Sequence, residues 1–358
     1  MLELDELLRC AKERHASDLH LKAGSRPHVR VNGQLEQTVF DVLGPADTER
    51  LALAVLPRAR AEEFTATGEA HFPYSLGETD GAERFRISVF RQRGSFALVI
   101  RVLPGAPSLD ALGLPPIVRR LTEESRGLVL VTGPTGSGKT TTIAAMIDQI
   151  NQSQAKHIVT IEDPIEVLHP DKCSIVSQRE IGSDTADYAS ALKRVLRQDP
   201  DVIYIDGMED PETAWAALSA ASVGHLVLST MPTLNSTETI TQLIDSFPPH
   251  RQPQVRMSLA ASLRGIVSQR LLERVDGKGR IPAVEVLVAT GRAFEKIANP
   301  KQTDELERVI AEGEYYGMQT FDQSLFDLYK SGLIGLRDAL AVASHPHDLR
   351  IALQQASL

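Results

Sequence analysis

The chain of 358 residues has only two cysteines, Cys10 and Cys173. Two thiols that far apart make no disulfide framework, and they cannot supply a Cys-x-x-Cys zinc pair, so a reducing cytoplasm suits the chain. No apolar run reaches the ~18 residues needed to cross a bilayer, so work at a membrane would require recruitment to it. The first residues, Met1-Leu-Glu-Leu-Asp-Glu6, lack the basic stretch of a secretory leader. Surplus positive charge is missing too. The net charge is −9, which argues against a protein that works by coating nucleic acid. There is no internal repeat and no low-complexity tract. What remains, 42% hydrophobic and 24% charged residues, is the profile of a soluble globular protein of two or three domains.

The most informative stretch is Gly127-Leu-Val-Leu-Val-Thr-Gly-Pro-Thr-Gly-Ser-Gly-Lys-Thr140. Leu128 to Thr132 reads as a buried strand. Gly133, Pro134, Thr135, Gly136, Ser137, Gly138, Lys139 and Thr140 then complete G-x-x-x-x-G-K-[ST], the phosphate-binding loop. Glycines let backbone N–H groups turn toward phosphate oxygens without a Cβ in the way. Lys139 supplies a point charge for the β- and γ-phosphates, and the Thr140 hydroxyl can ligate Mg²⁺. A helix beginning at Thr141 and reaching Ile150 would aim its positive end at the anion. Strand, complete motif and helix together make a nucleoside triphosphate the expected ligand, with Mg²⁺ as its cofactor.

Around this motif the chain divides. Leu2–Arg14 is an amphipathic helix, 17–22 and 28–33 are strands with an Asn32-Gly33 hairpin turn, and 48–56 and 58–65 are helical. Strands at 70–76, 83–90 and 95–103 complete an α+β domain over 1–103. Residues 104–116 carry four prolines and two glycines and read as a linker. Strands and helices then alternate over 117–290, as in an α/β open sheet that binds its ligand at the carboxyl ends of the strands. Helices at 304–312, 320–330 and 336–344 make 291–358 a C-terminal helical region.

Other stretches carry chemistry. Thr160-Ile-Glu-Asp-Pro-Ile-Glu166 ends a strand with three carboxylates, where a γ-phosphate and its attacking water would sit. Val202-Ile-Tyr-Ile-Asp206 is the Walker B pattern, in which Asp206 holds Mg²⁺; the residue after it is Gly207, where many such ATPases place a glutamate base. Gly224-His-Leu-Val-Leu-Ser-Thr-Met-Pro-Thr233 is a further core strand with His225 at its start.

These motifs resemble the PilT/PilU family of type IV pilus retraction ATPases, within the type II/IV secretion ATPases. The likeness runs from Ala16-Ser-Asp-Leu-His-Leu21 through the phosphate loop, Ile161–Glu166, Gln178-Arg-Glu180, Arg197-Gln-Asp-Pro-Asp201 and Gly224-His-Leu-Val227 to Ser268-Gln-Arg-Leu-Leu272 and Gly317-Met-Gln-Thr320. It implies a PAS-like N-terminal domain joined to a RecA-like ATPase core with C-terminal helices, assembled as a homo-hexamer. It implies a cytoplasmic protein recruited to the inner face of the membrane, against the platform protein at the pilus base, with a sister pilus ATPase as a further partner and no nucleic acid. It also implies that N-terminal arginines reach the nucleotide, with Arg101 the first candidate beside Arg84, Arg86 and Arg93. Catalysis is expected of Glu166, Asp206 and His225. Phosphate binding is expected of the loop through Thr141, and metal binding of Thr140 and Asp206. Three single positions and the stretch Arg292-Ala-Phe-Glu-Lys-Ile-Ala298 depart from the family pattern. Gly207 stands where the family has Glu, Glu209 where it has Arg, and Pro232 where it has a second His. They set a second expectation beside the active motor: a paralogue that binds nucleotide, hydrolyses it slowly and regulates an active motor.

Overall fold

The computed structural model describes residues 3–31, 33–77 and 83–356. Two compact units emerge, one of Met1–Gly105 with Glu166–Pro170 and one of Ala106–Ile165 with Asp171–Leu358.

The first unit runs α1 (Leu4–Glu13), β1 (Asp18–Lys22), β2 (His28–Val31), β3 (Gln34–Gln37), α2 (Pro45–Val55), α3 (Arg58–Thr67), β4 (Glu69–Leu76), β5 (Glu83–Gln92) and β6 (Ser95–Val102). Its sheet has the order β3-β2-β1-β6-β5-β4, with every pair antiparallel. Leu4, Leu7, Leu8 and Ala11 of α1 recur at helical spacing, and their stripe is buried in one cluster with Leu19, Phe85, Leu98 and Ile100. Of the expected Asn32-Gly33 turn, Asn32 lies outside the described residues, while Gly33 takes φ +81° between paired β2 and β3.

The second unit begins earlier than the proline-rich composition suggests. Leu109–Leu112 forms a 3₁₀ turn whose Leu109 is buried, and Pro116 opens α4 (Pro116–Leu121). Then follow β7 (Gly127–Thr132), α5 (Lys139–Ser153), β8 (His157–Glu162), β9 (Ile175–Glu180), α6 (Tyr188–Val195), β10 (Val202–Ile205), α7 (Pro211–Val223) and β11 (Leu226–Met231). After these come α8 (Ser236–Asp245), α9 (Gln252–Ser262), β12 (Leu263–Glu273), β13 (Arg280–Val288) and α10 (Gly291–Ala298). The last helices are α11 (Leu306–Ala311), α12 (Phe321–Lys330), α13 (Leu336–Val342) and α14 (Pro346–Ala356).

The seven-stranded sheet has the order β13-β12-β7-β11-β10-β8-β9, parallel except for β13 against β12. Alternate residues of β7 enter different cores, Leu128 and Leu130 on one face and Val129 and Val131 on the other. Burial of both faces explains why this strand is a continuous apolar run. β10 splits the same way, and its Tyr204 shares a face with Ile143, Met146 and Ile147 of α5.

Candidate nucleotide site

β7 ends at Thr132, and the chain turns into α5 through three glycines at positive φ: Gly133 (+145°), Gly136 (+81°) and Gly138 (+89°). These angles are why the loop is glycine-rich. At Gly133 the constraint is also steric, because a Cβ would sit 2.4 Å from both the Gln269 carbonyl and Ser137 Oγ. Pro134, Thr135 and Gly136 are exposed, Ser137 is buried, and Thr140 and Thr141 follow in the first turn of the 15-residue α5. Ser137 Oγ is buried with no hydrogen-bond partner among the described residues. The Lys139 ammonium folds over the loop and donates to the carbonyls of Gly133 (2.8 Å) and Pro134 (3.2 Å). Burial pushes the Lys139 pKa below its ordinary value, against the pull of Asp206 and Glu209. A cradle that only glycine fits, an orphaned hydroxyl, a lysine inside the loop and a long helix starting there all fit a polyphosphate.

β12 braces the loop from the other side. Gln269 is buried; its Nε2 donates to the Ser137 carbonyl (2.7 Å) and its Oε1 accepts from Thr142 Oγ1 (3.0 Å). Thr132 Oγ1 donates to Ser268 Oγ at 2.8 Å. Ser268 and Gln269 stood out only as part of a family stretch. Their strand follows α9 without an intervening turn, Ser262 closing the helix and Leu263 opening the strand, so no punctuation marks its start.

Acidic residues end the strands beyond β11. Asp206 follows β10, and its N–H donates to the Ile161 carbonyl of β8 at 3.0 Å. Tyr204 Oη donates to Asp206 Oδ1 at 2.9 Å. On β8, Thr160 Oγ1 donates to Glu162 Oε1 at 2.6 Å, and Gln178 of β9 reaches the same oxygen at 3.0 Å. Glu180 pairs with Glu162 across β8 and β9, and its Oε2 accepts from the N–H of Ile165 at 3.1 Å. The buried carboxylate of the acidic turn is therefore Glu162, whereas Glu166 is exposed and groups with the first unit. The signal for Glu162 was the hydroxyl two residues upstream, which shares its strand face.

Other expected residues fall elsewhere. His225, expected among the catalytic residues, stands away from the loop in this chain. β11 runs parallel to β7 with Leu226 opposite Gly127 and Met231 opposite Thr132. His225 therefore stands at the amino edge of the sheet, while the loop leaves the carboxyl edge, about 17–20 Å away at ~3.3 Å per residue. Its Nδ1 lies 2.8 Å from the Pro200 carbonyl and closes a loop between strands. Pro232 and Thr233 occupy the loop end of β11, and Thr233 shares a buried 2.6 Å hydrogen bond with Thr239. Asp210 caps α7, accepting from the N–H groups of Glu212 and Thr213, both at 2.9 Å. Burial pushes its carboxyl up, but the bonds from Thr213 and Glu212 outweigh this and leave it below its ordinary value. In the first unit, Arg101 Nε donates to Asp18 Oδ1 at 3.1 Å and remains largely exposed. Arg84 Nε reaches Ser75 Oγ at 3.2 Å, Arg86 pairs opposite Arg101 across β5 and β6, and Arg93 takes φ +48° at the turn between those strands.

Comparison with known proteins agrees with this geometry. A sequence profile of the family described as Type II/IV secretion system protein matches residues 2–320. The chain is 39% identical to the type IV pilus ATPase PilU of Pseudomonas aeruginosa, covering 99% of this chain and 92% of that protein. It is 37% identical to the type IV pilus retraction ATPase PilT of the same organism, over 97% of this chain and all of that one. A crystal structure of the pilus retraction motor PilT with bound ADP superposes with a TM-score of 0.86 at 44% identity, covering 98% of this chain and 99% of that one. The chain therefore belongs to the type II/IV secretion system protein family, within its PilT/PilU group of type IV pilus ATPases.

Proposed function

We propose that this chain hydrolyses ATP to power pilus retraction and twitching motility, working as a homo-hexamer recruited to the cytoplasmic face of the membrane at the pilus platform protein. The observation that carries the reading is the loop from Gly133 to Thr140, with Lys139 under the influence of Asp206 and Glu209 at one edge of the sheet. Backbone N–H groups of the loop and the Lys139 ammonium bind and orient the β- and γ-phosphates. Thr140 and Asp206 are the groups that would hold Mg²⁺. Among the described residues no cluster of three or more His, Cys, Asp or Glu forms a metal cage. Bound there, Mg²⁺ would neutralise charge on the phosphates.

Orientation of the attacking water falls to the acidic turn 162–166. Glu162 is the buried carboxylate that the second unit provides, and Glu166 remains a candidate from the end of the turn. Gly207 has no side chain, so Asp206 is the carboxylate left at that strand end. Arg101, with Arg84, Arg86 and Arg93, is our candidate for phosphate contact from the first unit, and a sister pilus ATPase is a candidate co-assembly partner.

Calorimetric titration with a non-hydrolysable Mg·ATP analogue tests the site. Lys139→Ala should abolish binding; equal affinity for both proteins would remove the assignment. Mass photometry with the same analogue should show a six-subunit species, and a strictly monomeric protein at every concentration would remove the ring.

A further inference from the structure

Asp206 follows the last residue of β10, and Gly207 after it takes φ +97° with nothing within 4 Å of where a side chain would begin. Two side chains away lies a feature that its assignment to Mg²⁺ does not use. Tyr204 is buried, at 2% exposure, in the core beneath α5, and its hydroxyl reaches back toward the sheet edge to donate to Asp206 Oδ1 at 2.9 Å. On the adjacent strand Thr160 stands opposite Tyr204 in register and donates to Glu162 in the same i to i+2 manner. Two neighbouring strand ends thus each carry a carboxylate tethered by its own upstream hydroxyl. Like-charged carboxylates on adjacent strands repel, and separate donors offset that repulsion while fixing where each oxygen points.

We propose that Tyr204 is a positioning residue for Mg²⁺ binding, holding Asp206 in the rotamer that presents it to the metal. Phenylalanine would fill the same space and remove only the donor. Groups that orient a metal ligand change metal affinity by about 10–100-fold when removed.

The proposal rests on the assignment of Asp206 to Mg²⁺, and the experiment separates the two. Binding of a fluorescent ATP analogue is titrated against Mg²⁺, and repeated in EDTA, for the wild type, Tyr204→Phe, Asp206→Asn and the double variant. Tyr204→Phe should raise the half-saturating Mg²⁺ concentration about tenfold and leave affinity in EDTA unchanged. The double variant should bind Mg²⁺ no worse than Asp206→Asn alone, since the tyrosine acts only through that carboxylate. An unchanged Mg²⁺ requirement in Tyr204→Phe, with Asp206→Asn impaired, overturns the role of Tyr204 and leaves the metal assignment standing. An equal loss with and without Mg²⁺ in Tyr204→Phe makes the tyrosine merely structural and also overturns the proposal. A normal Mg²⁺ requirement in Asp206→Asn removes the metal assignment, and this proposal with it.

Discussion

The phosphate loop and the acidic strand ends lie at one edge of one sheet, yet different physics holds them. The loop is fixed locally: three glycines at positive φ, a lysine folded onto loop carbonyls and a helix that begins at that lysine. Each acidic end is held by a hydroxyl two residues upstream on its own strand, Tyr204 on Asp206 and Thr160 on Glu162, with Gln178 of the neighbouring strand added on Glu162. A locally determined site tolerates no change in its own residues. Acidic ends held by separate hydroxyl and amide donors lose function in smaller steps as each donor is removed.

Gly133→Ala should produce the largest effect on that contrast. Its Cβ would meet backbone and Ser137 at 2.4 Å, so the loop must move. We expect nucleotide affinity to fall about 100-fold or more, the worth of one or two hydrogen bonds to a charged group, measured by calorimetry. Gln269→Leu probes a side-chain brace that the loop takes from β12. It strands the Ser137 carbonyl and the Thr142 hydroxyl, so urea unfolding should show a loss of about 1–3 kcal/mol, with a smaller affinity loss than Gly133→Ala. If Gln269→Leu matched Gly133→Ala in affinity, the loop would not be locally determined.

Asp210→Ala removes a helix cap and should cost about 1 kcal/mol at neutral pH. The Asp210 carboxyl titrates below its ordinary value in the fold, so its contribution is present above the unfolded-state pKa and is lost as pH falls through the folded one. Unfolding curves for wild type and variant should therefore converge in acid. His225→Ala should have the smallest effect. The residue stands at the far edge of the sheet, so nucleotide affinity should stay within about twofold of wild type, and a larger drop would reopen a catalytic role.

What the sequence disclosed follows the same division. The loop, its strand and its helix were legible because glycines, an apolar run and a helix start are each encoded in adjacent residues. The antiparallel strands of the first unit were legible from alternation. The burial of Glu162 and exposure of Glu166 were not, because they depend on which carboxylate sits two residues past Thr160 on a strand face and which falls beyond it on exposed chain. The place of His225 was not legible either, because proximity in sequence to a core strand says nothing about which end of that strand meets the loop. That question is answered by the parallel pairing of Leu226 with Gly127. β9 was missed as an edge strand of mixed polarity, Ile175-Val-Ser-Gln-Arg-Glu180, which lacks a buried face to mark it.

The central claim is that phosphate grip and metal-dependent chemistry are separate contributions of two differently built regions. Steady-state turnover of Mg·ATP, measured beside nucleotide affinity for the purified wild type and Asp206→Ala, tests it most directly. The wild type should turn over, and Asp206→Ala should retain nucleotide binding in EDTA while turnover falls about 100-fold or more. An Asp206→Ala protein that hydrolyses ATP at the wild-type rate would contradict the account.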